Sequence, residues 1–223
     1  MFLFDFLKSL DKLLYELMSW LVFYPITLWR ALRHPLQLMC YADRELGDAP
    51  EEQYTDTLSP PLFLLISLLL CHGLELGVIG QNALIKSRVG LDALISSDSN
   101  LILFRLIVYS LFPLLMSVRL LRRKKQRIDR DTLRGPFYGQ CYLAAPLALF
   151  LGLGGTMLLA PHKPLLMGVG GVLLISATMV WYGGMQMIWF GKQLGIGRGA
   201  AFLQASLAMI EALGAIILVI ALV

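Results

Sequence analysis

Four ionisable side chains lie within long apolar runs of this sequence, and their types make them its main candidates for chemistry. They are His72, Glu75, Arg105 and Glu211. Because lipid cannot solvate a charge, such groups are rare in membrane spans and usually face the interior of a helix bundle. A single histidine provides too few ligands for zinc, which takes three or four, so no metal site is predicted.

The depth of each group within its span predicts which of them meet. At 1.5 Å per residue, Glu75 lies about 22 Å into a helix that begins near residue 60, and Arg105 lies at a similar depth in the next, antiparallel helix. We therefore expect a Glu75–Arg105 ion pair. The same reasoning places His72 level with Glu211 and predicts a second contact. Tying three helices together is the simpler interpretation of these contacts, and a proton or ion path is the alternative.

The sequence contains no set of residues that is typical of catalysis. It has no HExxH, no GxSxG, no Walker-type glycine loop and no dinucleotide fingerprint. Its serines lack a placed base, and its three cysteines form no CxxC motif. We therefore expect a protein that is not an enzyme and that carries no metal or cofactor.

The elements that must position these groups are membrane-spanning helices. The chain is 57% hydrophobic and 15% charged, with a mean hydropathy of +0.70, whereas ordinary soluble domains are about 25% charged. Backbone groups in lipid must be satisfied within their own segment, which favours helices of about 20 residues. The predicted fold class is an all-α polytopic membrane protein with five transmembrane helices preceded by amphipathic interfacial helices. The five spans are expected at Pro60–Gln81, Leu101–Leu121, Tyr138–Ala160, Leu165–Phe190 and Ala200–Leu222.

We predict two domains. Residues 1–58 form a cytosolic N-terminal region of amphipathic helices and an acidic connector, and residues 59–223 form the transmembrane domain. Charged residues recur on one stripe of residues 1–24, which predicts an amphipathic helix in the membrane interface. A short sixth span is the alternative. We expect Pro25 to end this helix, and residues 41–58 to form an acidic, solvated connector.

A basic stretch at residues 119–134 predicts the orientation of the chain. It holds eight of the nineteen Lys and Arg residues, and such an excess marks a cytosolic loop. The N-terminus is then cytosolic and the C-terminus lies outside. Aromatic residues do not interleave with these charges, so nucleic acid is not an expected partner. The residues that carry the signal most clearly are Arg122, Arg123, Lys124, Lys125 and Arg127.

A short motif in the third span resembles a known family. Tyr142-Leu143-Ala144-Ala145-Pro146 gives the spacing Tyr-x-x-x-Pro, and Leu58–Phe63 forms a similar entry to the first span. In these features and in the order of its parts, the chain resembles the bacterial branch of the Yip1 family. The resemblance implies five packed spanning helices in a bacterial inner membrane, with a cytosolic N-terminus and a C-terminus outside, in the periplasm. The Asp-Leu-Tyr-Gly-Pro motif of the eukaryotic members is absent.

The leading interpretation is a non-enzymatic membrane component, a scaffold or assembly subunit, whose partners are membrane lipids and either further copies of itself or other membrane subunits. The alternative is a small oligomeric permease or channel that uses His72, Glu75 and Glu211 near its pore. Pro146 has no N–H to bond the carbonyl of Tyr142. This predicts either a packing kink or a bend that lines a cavity.

Overall fold

The structure is a computed structural model that describes residues 2–80, 98–161 and 164–222. Within these ranges every regular element is an α-helix. We number the described helices in chain order: α1 is Phe2–Arg33, α2 is Pro35–Glu45, α3 is Pro60–Ile79, α4 is Asp98–Arg123, α5 is Arg130–Leu159, α6 is Leu165–Leu194 and α7 is Arg198–Leu222.

Five of the described helices are long and apolar enough to cross a membrane, which confirms the predicted fold class. The spans lie at Pro60–Ile79, Leu101–Arg123, Arg130–Leu159, Leu165–Leu194 and Arg198–Leu218. Helix α1 is not among the helices that meet this criterion in the described part of the chain. The alternative of a short sixth span at residues 1–24 therefore receives no support.

The basic stretch at 119–134 is mostly helical, which corrects its prediction as a loop. Helix α4 continues to Arg123 and α5 begins at Arg130, so the connection is only residues 124–129. A capping box starts α5: Asp129 Oδ1 accepts from the Thr132 backbone N–H at 2.9 Å, and Thr132 Oγ1 accepts from the Asp129 N–H at 3.1 Å. The third span thus begins before the predicted Tyr138.

Pro25 does not end the first helix, contrary to the prediction. Helix α1 runs through it as one element of 32 residues. A proline in a helix interior leaves the carbonyl four residues earlier without its hydrogen bond. That carbonyl belongs to Leu21, whose residue is exposed, and a proline inside a long helix is accommodated by a local bend of the helix.

Helix α5 is the centre of the bundle. It packs against α2, α3, α4 and α6, while α7 packs on α4 and α6. Every residue from Gly139 to Leu149 is buried. Helices α5 and α6 approach closely at two glycines, since a Cβ on Gly171 would lie 2.9 Å from the backbone oxygen of Gly154. Such small residues allow close packing of helices in a membrane.

Both ends of the segment before the first span are packed on the bundle, while its middle, residues 47–52, is exposed, in line with the predicted acidic, solvated connector. The predicted connector begins inside α2, and α2 packs its Leu38, Met39 and Ala42 against α5. Thr57 and Leu58, at the far end of the segment, are also buried. We call α1, α2 and residues 46–59 together the platform, because they lie at one end of the five-helix bundle.

Candidate functional site

The predicted ion pair between Glu75 and Arg105 is confirmed. Arg105 Nη2 donates to Glu75 Oε2 at 2.5 Å, and both side chains are largely shielded. The pair joins the last turns of α3 to the second turn of α4. Depth was sufficient to predict it because these two spans follow each other in the chain and run antiparallel.

A small cavity of about 160 Å³ opens beside this pair, between α3, α4 and α5. Besides the two charges, its polar lining comes from Cys71, Tyr109 and Thr156. A water molecule occupies about 30 Å³ in the liquid, so the space is enough for a few waters. In the described part of the chain, no group of three or more metal-ligating side chains occurs here or elsewhere. The cavity is therefore suited to binding a few water molecules or a small polar molecule beside the Glu75–Arg105 ion pair.

The predicted contact between His72 and Glu211 is wrong, because Glu211 pairs with a different residue. Arg119 Nη1 donates to Glu211 Oε1, and the Nε and Nη2 atoms of Arg119 donate to Gln204 Oε1 at 3.2 and 3.0 Å. Helix α7 packs on α4 and α6 rather than beside α3. His72 is buried on α3. Equal depth does not make two helices neighbours.

The two ion pairs do not form one path across the bundle. Arg105 and Arg119 are both on α4, fourteen residues apart, which is about 21 Å along a helix. Glu75 and Glu211 are therefore held at opposite ends of α4. This geometry favours two separate structural ties between helices, each of which neutralises a charge within the membrane.

A pair of buried amides links α5 to α6, and charge-based reasoning from the sequence missed it. Gln140 Nε2 donates to Gln186 Oε1 at 3.1 Å, and Gln186 Nε2 donates to Gln140 Oε1 at 2.6 Å. Both side chains are almost fully buried. Single glutamines within apolar runs were the available signal, since polar side chains in membrane helices bond across helices.

Tyr142, from the Tyr-x-x-x-Pro spacing, connects the central helix to the platform. Tyr142 Oη donates to the Leu58 carbonyl at 2.7 Å and lies 3.1 Å from Thr57 Oγ1. The Leu58 N–H donates to Thr27 Oγ1 of α1 at 3.0 Å. One buried residue of the connector is thereby bonded to α1 through its N–H and to α5 through its carbonyl.

The hydrogen bonds continue outward to the surface through Asp56. This carboxylate accepts from Arg30 Nη1 at 2.7 Å and from the Tyr41 hydroxyl. Burial alone would raise the pKa of Asp56, but the hydrogen bonds from Tyr41 and Arg30 outweigh it and hold that pKa below its ordinary value. Burial and the bond to Asp56 raise the pKa of Tyr41, which keeps its hydroxyl protonated as the donor.

We call this set of residues the latch. It consists of Thr27, Arg30, Tyr41, Asp56, Thr57, Leu58 and Tyr142. A neighbouring residue, Tyr54, adopts a left-handed backbone with φ of +57°, which is uncommon for a bulky side chain. Its N–H donates to Glu45 Oε2 at 2.6 Å and its hydroxyl to the Ala42 carbonyl at 3.1 Å. These bonds to α2 hold the turn in that conformation.

Pro146, the second motif residue, is buried inside α5. The helix continues through it and through Pro136 without interruption. Tyr142 and Pro146 are one turn apart, so the carbonyl of Tyr142 loses its helical bond while its hydroxyl reaches the connector. Pro146 thus removes one helical hydrogen bond of α5 at the same residue, Tyr142, whose hydroxyl bonds the platform.

The predicted topology residues surround the connection between α4 and α5. All five are exposed: Arg122, Arg123, Lys124, Lys125 and Arg127. Lys124 Nζ also donates to Gln193 Oε1 near the end of α6, at 2.5 Å. Because the connection precedes α5 as the connector precedes α3, these charges lie at the same end of the bundle as the platform.

No protein-family model, curated protein or solved structure matches this chain.

Proposed function

We propose that this chain is a non-enzymatic integral component of a bacterial inner membrane, a Yip1-like scaffold or assembly subunit that presents its N-terminal platform on the cytosolic face. The observation that carries this proposal is the latch. It fixes the platform to the central helix α5 through buried hydrogen bonds of Tyr142 and Leu58. A platform fixed in this way holds a constant orientation relative to the membrane, as a docking surface requires.

The outer face of α1 supports a docking role. Apolar side chains recur at helical spacing along it and are exposed: Leu10, Leu14, Leu17, Met18, Leu21 and Trp29. An apolar stripe of this length on an amphipathic helix suits the membrane interface or a partner helix. The latch occupies the other side of α1, through Thr27 and Arg30, so the apolar stripe is left available.

The proposed orientation rests on charge. The exposed basic residues 122–125 and Arg127 lie at the end of the bundle that carries the platform, and a basic excess favours the cytosolic side. Five successive spans then bring the end of α7 to the periplasmic side. Anionic headgroups near these residues add about 1 kcal/mol of attraction per basic side chain.

A small oligomeric permease is the second candidate, and Glu211 is the observation that favours it. Its side chain is 46% exposed although it lies near the middle of α7. Although Glu211 is paired with Arg119, the open side of a carboxylate at this depth favours contact with a second subunit or with water in a pore. The wide separation of the two ion pairs along α4 favours the scaffold instead.

Crosslinking in living cells tests the scaffold proposal. A photoreactive amino acid placed at Leu17 of α1 should yield a discrete protein adduct. Placed at Val180, which is 77% exposed on α6, the same probe should yield only lipid adducts. The adduct at Leu17 should weaken in the Tyr142→Phe variant, whose platform is less firmly held. Equal adducts at both positions, or no dependence on Tyr142, would contradict the proposal.

Reconstitution distinguishes the permease. The purified chain in liposomes should pass no ions or small solutes above the level of empty liposomes. Flux that disappears in Glu211→Gln but persists in Glu52→Gln, an exposed glutamate of the connector, would favour the permease and overturn the scaffold proposal.

A further inference from the structure

Two cavities meet where the platform joins the bundle. The polar cavity, of about 650 Å³, is bounded by α1, the connector, the start of α3 and the start of α5. The apolar groove, of about 470 Å³, lies between α3, α4 and α5. Ser59, Leu62 and Tyr138 line both of them. The two cavities therefore adjoin, with these three residues at the boundary between a polar part and an apolar part.

The apolar groove lies within the membrane-spanning helices. Its walls include Leu65 of α3, Leu106 of α4, and Phe137 and Cys141 of α5. Leu65 is in the second turn of its span, about 8 Å from the start of the helix. The groove thus runs from the platform end into the hydrocarbon layer. An occupant that fills it must bring a hydrocarbon part.

The polar cavity carries charges of both signs. Arg134 of α5 lies on its wall and stacks on Tyr138, with its Cζ atom 5.4 Å from the ring centroid. Glu16 of α1 and Glu51 of the connector supply two carboxylates. A purely anionic headgroup would satisfy the guanidinium but meet two like charges, which costs binding energy. A headgroup with both a phosphate and an ammonium matches the three side chains.

We propose that this site binds one phospholipid whose headgroup carries a primary ammonium. Its phosphate is bound by Arg134, in the manner that guanidinium groups bind phosphate oxygens. Its ammonium donates hydrogen bonds to Glu16 and Glu51. An acyl chain occupies the apolar groove. The primary amine is specified by the carboxylates, because a quaternary ammonium has no N–H to donate to them.

The bound lipid has a mechanical consequence. Its three charged contacts come from α1, the connector and α5, so it bridges the platform and the bundle beside the latch. A ligand that binds only the assembled state stabilises that state in proportion to its concentration. The position of the platform is therefore coupled to the amine-lipid content of the membrane.

Native mass spectrometry of the full chain in detergent tests the proposal. The chain is titrated separately with phosphatidylethanolamine, phosphatidylcholine and phosphatidylglycerol. We expect the phosphatidylethanolamine to bind about tenfold more tightly than the other two, the lower end of what hydrogen bonds to charged groups provide. Equal binding of all three lipids by the wild-type chain overturns the proposal.

Charge variants test the phosphate contact and the ammonium contacts of the headgroup separately. Arg134→Gln should weaken all three lipids by a similar factor, because all three have the phosphate. The double change Glu16→Gln, Glu51→Gln should weaken phosphatidylethanolamine and strengthen phosphatidylglycerol, which no longer meets two like charges, so that the preference for phosphatidylethanolamine is lost. The matched controls are Arg127→Gln and Glu52→Gln, which remove exposed charges outside the walls of the cavity. Equal effects of the controls and the cavity variants contradict a built site.

Hydrogen exchange of the wild-type chain tests the proposal without variants, which could fold poorly. Phosphatidylethanolamine, and not phosphatidylglycerol, should slow hydrogen exchange in connector peptides that cover residues 50–59. Equal hydrogen exchange in these peptides with both lipids would contradict the proposal, independently of the results with the variants.

Discussion

Replacing Tyr142 with phenylalanine tests whether the latch holds the platform. The change removes one hydroxyl from a side chain that is 1% exposed and leaves its ring in place. The hydroxyl donates to the Leu58 carbonyl at 2.7 Å and contacts Thr57 Oγ1 at 3.1 Å. The Leu58 carbonyl would then be buried without this donor, so the variant should hold the connector less firmly.

The expected size of the effect follows from the cost of an unmade hydrogen bond. Leaving a buried acceptor unsatisfied costs about 1–3 kcal/mol. Since 1.4 kcal/mol is a factor of ten in an equilibrium constant, the open fraction of the connector should rise roughly 5- to 150-fold. The five spans do not depend on this bond, so the bundle should remain folded.

Hydrogen exchange measured by mass spectrometry is the appropriate assay. The Leu58 amide bonds Thr27 Oγ1 in the closed connector, and its protection should fall with the opening equilibrium. Peptides from the core of α5 should exchange as in the wild type. Tyr138→Phe is the matched control, one turn away on α5, because the Tyr138 hydroxyl makes no hydrogen bond within the described residues.

A second variant tests whether Thr57 acts together with Tyr142 in the latch. Thr57→Val removes the hydroxyl that faces Tyr142 and should also speed connector exchange. Because the two side chains share one network, the double variant should be less affected than the sum of the two single changes. Full additivity, or wild-type exchange in Tyr142→Phe, would refute the reasoning about the latch.

Three further predictions concern the bundle and the surface of the platform. Glu75→Arg and Arg105→Glu should each lower the yield of folded protein, since breaking a buried pair costs about 3–5 kcal/mol, and the double change should restore it. Gly171→Ala should destabilise the bundle by about 1–3 kcal/mol because its Cβ would lie 2.9 Å from a backbone oxygen of α5; Gly183→Ala on the same helix, with nothing within 4 Å, should not. The depressed pKa of Asp56 means that its contribution to connector protection is present above about pH 4 and is lost as the pH falls through that pKa; Asp56→Asn should abolish this acid dependence in hydrogen exchange.

The spans could be predicted from the sequence because a bilayer demands a simple pattern. About 20 consecutive apolar residues are needed to cross it, and the chain has five such runs. Helix ends were harder to place, since a helix continues into water wherever a cap supports it. The capping box at Asp129 starts α5 ahead of its apolar run, and no hydropathy argument contains that information.

Some of the polar contacts could likewise be predicted from the sequence, and others could not. Glu75 and Arg105 could be paired because consecutive spans are usually neighbours in space. Glu211 could not be assigned, since its partner depends on where α7 packs, and Arg119 belongs to the basic stretch whose composition indicates a loop. The bonds between Tyr142 and Leu58 join positions far apart in the chain, and only the packing of the platform on α5 brings them together.

Cysteine labelling in intact cells tests the central claim, a platform fixed at the cytosolic end of a five-span bundle. A cysteine is placed at Gln126, between α4 and α5, or at Pro161, between α5 and α6, with Cys40 replaced by serine. A membrane-impermeant maleimide should label position 161 from the periplasm and should reach position 126 only after the cells are opened. Labelling of position 126 in intact cells, with position 161 protected, would invert the topology and contradict the account.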